Sequence, residues 1–242
     1  MFTALVATVM AIVIAQVLPA PQLRQRLLGW WPHAVRMAGG RSDWGWLLCL
    51  AVPMLLLGLL QWLLHERVYG IPQMVLGVLV LVLCWGPRDL ERDVEALVYA
   101  EDAAQREQAL SHLYGDTLQP GREATVMNHA VAVAMLRRAL GVLFWFLLLG
   151  AVGALAYRLL VMLALRPELL SLRAGERLRG VLAVVEWPVA QLMVLTMALV
   201  GNFQPVMLAW QQAGRWNAPQ AEDLLGQAMD AALPVLGGES DR

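Results

Sequence analysis

Two charged side chains, Arg158 and Glu186, lie inside long apolar segments of the chain. Each lies roughly six or seven residues from the end of its segment, or about 9–11 Å along a helix. Their positions are symmetric about residue 172, so an antiparallel helical hairpin brings them to equal depth. Charges in a hydrocarbon environment are costly and usually pair or face a polar cavity. The spacing predicts an Arg158–Glu186 ion pair, and the alternative is that each side chain extends separately to an interface.

Four further residues complete the set of candidate functional or structural side chains. Tyr157 directly precedes Arg158, and Trp145 lies earlier in the same apolar segment. Arg137 and Arg138 stand just before that segment, where their guanidinium groups could bind an anion. A catalytic role would also require an acid or a base beside them, and the neighbouring sequence offers neither.

The motifs of common enzymes are missing from the sequence. The chain has no lysine, hence no Walker-type phosphate loop, and it has no GxSxG or HExxH pattern. Its four histidines are scattered, and the two cysteines, Cys49 and Cys84, are isolated, which excludes a thiolate cluster. We therefore expect no metal site and no cofactor, and the sequence leaves enzymatic activity undecided but disfavoured.

The composition identifies the environment of these residues. The chain is 59% hydrophobic and 15% charged, whereas a soluble domain has roughly 45–50% apolar and about 25% charged residues. A single soluble core of 242 residues could not hide so much apolar surface. The net charge of −1 argues against a nucleic-acid partner. The composition therefore predicts a membrane protein whose main partner is the lipid bilayer.

The length of the apolar segments predicts an all-α, polytopic membrane protein with about five transmembrane helices. A span needs about 20 residues. The candidate spans are Phe2–Leu18, Trp44–Leu64, Ile71–Trp85, Ala139–Leu165 and Val181–Gly201.

Four regions follow from these spans. Residues 1–85 contain the N-terminal transmembrane helices, and residues 139–201 form a transmembrane helical hairpin. Between them, the 86–138 loop carries six arginines and nine acidic residues, and its apolar spacing predicts amphipathic helices that could bind a partner protein. The 202–242 tail contains a short predicted helix at about Pro219–Leu233.

The distribution of arginine predicts the orientation of the chain in the membrane. With five spans, twelve arginines lie on the side of the 86–138 loop and five on the other. The positive-inside rule then places this loop and the tail in the cytoplasm. Four of the five opposing arginines lie between residues 166 and 180.

The segment Leu143–Arg158 resembles the most recognisable stretch of the AmpE family: Phe-Trp, spaced glycines, Gly-Ala and a final Tyr-Arg. Glu186-Trp187-Pro188 stands where relatives carry an acidic residue, an aromatic residue and a proline. The resemblance implies a multi-pass protein of the bacterial inner membrane. It also implies a non-catalytic signalling or modulating role in cell-wall recycling and β-lactamase induction, with the 86–138 loop and the tail reporting on a ligand or partner.

Two alternative functions remain open. The layout is also similar to the CobD/CbiB cobalamin-biosynthesis proteins, which implies a membrane enzyme of the adenosylcobinamide-phosphate synthase type. That group's Gly-Arg-Asp-Thr element reads Tyr114-Gly115-Asp116-Thr117 here, and its carboxylates and amide before the Phe-Trp pair are missing. The other alternative is a membrane scaffold, in which the small residues Gly150, Gly153 and Ala154 form a close-packing face for a partner or a second copy.

The predicted ion pair is testable by charge reversal. We expect Arg158→Glu and Glu186→Arg each to reduce membrane insertion, because each leaves two like charges in hydrocarbon. The double reversal restores the pair and should restore insertion, measured as the amount of protein in the membrane fraction. Normal insertion of both single variants, or no recovery in the double variant, would contradict the pairing.

Overall fold

The computed structural model describes residues 31–39, 45–65, 71–84, 102, 129, 131–200, 203–212 and 221–232. The described residues are almost entirely helical and include no strand, which confirms the all-α fold. The predicted span Phe2–Leu18 and most of the 86–138 loop lie outside the described residues.

Seven α-helices follow one another in the described part of the chain. They are α1 (Trp31–Gly39), α2 (Gly45–His65), α3 (Ile71–Cys84), α4 (Gly141–Ala164), α5 (Leu172–Val200), α6 (Phe203–Gln212) and α7 (Ala221–Ala232). A π-helical turn, Leu136–Leu140, leads into α4, and a 3₁₀ turn, Pro167–Leu169, separates α4 from α5. The limits of α2 and α7 agree with the predicted helices within two residues.

Three helices in the described part of the chain are long and apolar enough to cross a membrane: Gly45–Leu64, Val131–Ala164 and Leu172–Val200. They correspond to the second, fourth and fifth predicted spans. The third predicted span is the 14-residue α3, which extends about 21 Å, less than the roughly 30 Å hydrocarbon core. By length and composition these helices support a membrane protein, the count of five is not confirmed, and the Val131–Ala164 stretch is broken at Gly150.

The exposed faces of these helices are as apolar as their packed faces. On α5, Val184 is 64% exposed and Leu199 is 81% exposed. Thr196 is also exposed, and its hydroxyl donates a hydrogen bond to the Leu192 carbonyl oxygen one turn earlier (2.7 Å). A hydroxyl bonded to its own helix needs no water. Such faces are suited to contact with lipid chains rather than with solvent.

The chain divides into two compact units. The first contains residues 1–89 and 137–182, and the second contains residues 90–136 and 183–242. In the first unit, α3 packs along α4, α2 contacts both, and α1 packs against α2 and against the 3₁₀ turn. In the second unit, α6 packs against α7.

Helix α4 is broken at Gly150, where the backbone adopts φ 69° and ψ −154°. A Cβ atom added to Gly153 would lie within 2.5 Å of the carbonyl oxygen of Trp145, and one added to Gly141 would overlap the ring of Tyr157. In a straight helix, residues 145 and 153 would be about 12 Å apart. The chain therefore reverses at Gly150, and residues 141–149 and 151–164 form the two arms of what we call the Gly150 hairpin.

The hairpin changes the predicted fourth span, which was expected to be one continuous helix over Ala139–Leu165. Gly153 lies close to Trp145 in the other arm of the same hairpin, and the predicted packing of a partner on Gly150, Gly153 and Ala154 stays a prediction. Gly150 itself provides the reversal, because its backbone conformation is one that residues with a Cβ atom rarely adopt.

The role of Gly150 is testable against a matched glycine. A Cβ atom would meet nothing within 4 Å at either Gly150 or Gly58, but Gly150 alone of the two has a positive φ. We expect Gly150→Ala to lower the free energy of unfolding by about 1–3 kcal/mol, the cost of that backbone conformation for alanine. Gly58→Ala lies in a regular helix and should be neutral or stabilising by up to about 1 kcal/mol.

Equilibrium unfolding by SDS in mixed micelles measures both variants. Equal stability changes for the two alanine variants would contradict the reversal at Gly150.

Candidate functional site in the membrane helices

Glu186 is the one charged side chain that is buried among the described residues, with 1% of its surface exposed. It lies on the packed face of α5, where Val189, Ala190 and Met193 are also buried. These residues follow Glu186 at helical spacing and surround its side chain with an apolar stripe. A buried ionised carboxylate requires compensation by polar groups or by an opposite charge, so Glu186 is the strongest candidate for a functional residue.

Pro188 adds a polar backbone group close to this carboxylate. It lies inside α5, two residues after Glu186. Because proline has no N–H, it removes the hydrogen bond that would otherwise reach the carbonyl oxygen of Val184. The same turn of α5 thus contains a buried carboxylate and lacks one of the regular helical backbone hydrogen bonds.

A hydrogen bond links α5 to α6 within the second unit. The indole N–H of Trp210 donates to the side-chain oxygen of Gln191, at 2.5 Å, in a partly buried position. Neither residue is among the candidate residues named from the sequence. The sequence held no signal for their pairing, because α6 was not predicted as a separate helix.

Among residues 119–130 of the 86–138 loop, the structure describes His129 alone. His129 contacts α7. A Cβ atom added to Gly226 would lie 2.7 Å from a carbon of the His129 ring, so the imidazole rests directly on that glycine. His129, α7, α6 and the second half of α5 are therefore connected by successive contacts within one unit.

Tyr157 and Trp145 are structural residues of the Gly150 hairpin. Tyr157 is 2% exposed, and its ring lies against Gly141 of the other arm. Trp145 meets the ring of Phe144 edge-on, with ring centroids 5.4 Å apart and an interplanar angle of 89°. This arrangement is favourable for two aromatic rings.

The three candidate arginines also belong to the hairpin region. Arg158 is half-buried in the second arm, and Arg137 and Arg138 are half-buried in the π-helical turn before the first arm. Arg158 belongs to the first unit and Glu186 to the second, and their pairing stays a prediction. Within the described residues, no group of three histidine, cysteine or acidic side chains is placed to hold a metal.

Three helices long and apolar enough to span a membrane, with apolar exposed faces, indicate an α-helical membrane protein. Neither a family model, a curated protein nor a solved structure matches the chain.

The Gln191–Trp210 hydrogen bond is testable by a double-mutant cycle. We expect Trp210→Phe and Gln191→Leu each to destabilise the protein, because each leaves one polar partner without the other. The double variant should lose less than the sum, with a coupling free energy of about 0.6 kcal/mol and at most about 1.7 kcal/mol. SDS unfolding measures the cycle, and strictly additive effects would show that the bond contributes nothing.

Proposed function

We propose that this chain is an AmpE-like integral protein of the bacterial inner membrane. It acts without catalysis as a modulator linked to cell-wall recycling and β-lactamase induction. The proposal is supported by the resemblance over Leu143–Arg158 and by the contacts around Glu186.

A series of contacts in the second unit is the observation that carries the proposal. Glu186 is buried on α5, and Gln191, five residues further along, accepts a hydrogen bond from Trp210 of α6. Helix α6 packs against α7, and α7 in turn contacts His129 of the 86–138 loop. The buried carboxylate is thus connected through packed elements to the loop that was predicted to bind a partner.

This arrangement suits a sensor better than an enzyme. Catalysis by acid and base requires several polar side chains within hydrogen-bond reach of one substrate, whereas the buried residues that follow Glu186 on the same face of α5, Val189, Ala190 and Met193, are apolar. A ligand or partner that binds one arrangement of α5 more tightly than another shifts the population between them. The charge of Glu186 makes such a shift sensitive to the polarity of what contacts it, because charge is costly in hydrocarbon.

The proposal is testable by β-lactam-induced β-lactamase activity in the source organism. Deletion of the gene should shift the induction curve, and the wild-type gene should restore it. We expect Glu186→Gln, which keeps the size of the side chain and removes its charge, and Trp210→Phe, which removes the contact to α5, both to fail to restore the curve.

The matched control is Val184→Ala, which changes a lipid-facing residue of the same helix. It should restore induction at equal protein level in the membrane fraction. An unchanged curve after deletion would overturn the proposed role and favour the corrinoid enzyme or the scaffold. Restoration by Glu186→Gln would show that the carboxylate is not part of the mechanism.

A further inference from the structure

Residues 165–180, which connect α4 to α5 and form the first turns of α5, carry four exposed arginines whose side of the membrane depends on the Gly150 hairpin. We propose that this segment lies on the same membrane face as α1 and as Arg137 and Arg138, and that its arginines bind the headgroups of anionic phospholipids. The inference goes beyond the proposed function and does not depend on it.

The hairpin provides the first argument. A continuous helix over residues 139–165 would carry the chain to the opposite face, but a helix that reverses at Gly150 returns it to the face where it entered. Arg138 lies about 18 Å before the reversal and Arg166 about 24 Å after it, at 1.5 Å per residue. Gly141 and Tyr157, on opposite arms, contact each other at positions between the reversal and these two arginines. Both arginines therefore lie near the open end of the hairpin.

The packing of α1 provides a second, independent argument. The 3₁₀ turn Pro167–Leu169 packs against α1 within the first unit, and Leu169 is buried there. Helix α1 carries the exposed Arg36. This arginine is one of the twelve that the sequence places on the cytoplasmic side. A turn in contact with α1 lies on the face of α1.

The chemistry of this face fits an anionic lipid surface. Every exposed arginine of the described residues lies on it, and two exposed glutamates, Glu168 and Glu176, accompany them. We call the five arginines the basic face: Arg36, Arg166, Arg173, Arg177 and Arg179. Leu172 is 88% exposed among these charges, and an apolar side chain beside arginines is typical of a segment that contacts headgroups and acyl chains together.

Hydrogen bonds at the start of α5 fix the backbone that carries three arginines of the basic face. Ser171 accepts a hydrogen bond from the Ala174 backbone N–H through its hydroxyl oxygen (3.3 Å), and its carbonyl oxygen accepts one from Gly175 (2.9 Å). Arg173 and Arg177 are four residues apart and share one side of the helix. The placement also puts these four arginines on the same side as the six arginines of the 86–138 loop, so they no longer oppose the cytoplasmic placement of that loop.

The shared face is tested by cysteine labelling. Met37 on α1 and Leu172 on α5 are 85% and 88% exposed, which makes Met37→Cys and Leu172→Cys a matched pair. Each is placed in the full chain after Cys49→Ala and Cys84→Ala. A membrane-impermeant maleimide should label both in the same preparation, either intact spheroplasts or inside-out vesicles. Labelling of the two cysteines from opposite sides would overturn the proposed placement.

Lipid binding is tested by native mass spectrometry of the purified full chain in mild detergent. Phosphatidylglycerol should bind more tightly than phosphatidylcholine with the same acyl chains. Arg173→Gln/Arg177→Gln should weaken phosphatidylglycerol binding about fivefold or more, since each arginine near an anionic surface contributes about a fivefold preference. The matched control Glu176→Gln removes a negative charge from the same turns and should leave binding unchanged or tighter.

Two results would overturn the lipid assignment. One is equal binding of the two lipids by the unmodified chain. The other is displacement of phosphatidylglycerol by excess inorganic phosphate, which would assign the arginines to a free anion instead. Neither measurement depends on β-lactamase induction, so failure here is distinguishable from failure of the proposed function.

Discussion

The backbone reversal at Gly150 is the constraint on which the first unit depends. In hydrocarbon, backbone N–H and C=O groups must be bonded within the protein, so a break in a helix is tolerated only where other parts of the protein lie close by. Gly141 and Gly153 permit that approach, because each lies where a Cβ atom would overlap the other arm. The reversal also sets the positions of Tyr157 and Arg158 and the direction in which the chain continues toward α5.

Helix α5 shows how charge is distributed along a membrane helix. Its first turns carry three exposed arginines and Glu176, whereas the rest of the helix is apolar except for Glu186, the amide of Gln191 and the hydroxyl of Thr196. The outward side of that apolar part presents Val184 and Leu199, and the inward side contains the carboxylate. Since lipid-facing and packed surfaces are equally apolar here, packing against other helices, and not polarity, distinguishes the two sides.

Contacts within the second unit connect the helix that carries the buried carboxylate to the neighbouring helices. The Gln191–Trp210 hydrogen bond ties α5 to α6, and the close approach of His129 to Gly226 ties α7 to the loop. At the second contact, Gly226 has no room for a Cβ atom, because the His129 ring lies against it. Under the proposed modulating role, a small movement of α5 would be transmitted through these contacts, because close-packed elements do not deform continuously.

The sequence alone determined the all-α fold, the long apolar helices, the limits of α2 and α7, and the presence of a carboxylate inside α5. These properties are local, since they follow from the length of an apolar run, the helix-ending residues and the position of one charge. The tertiary structure decided the break at Gly150, the partner of Trp210 and the contact of His129. A glycine in an apolar run has the same sequence pattern whether it packs, as Gly153 does, or reverses the chain, as Gly150 does. Periodicity could not identify the packed faces, because both sides of a membrane helix are apolar.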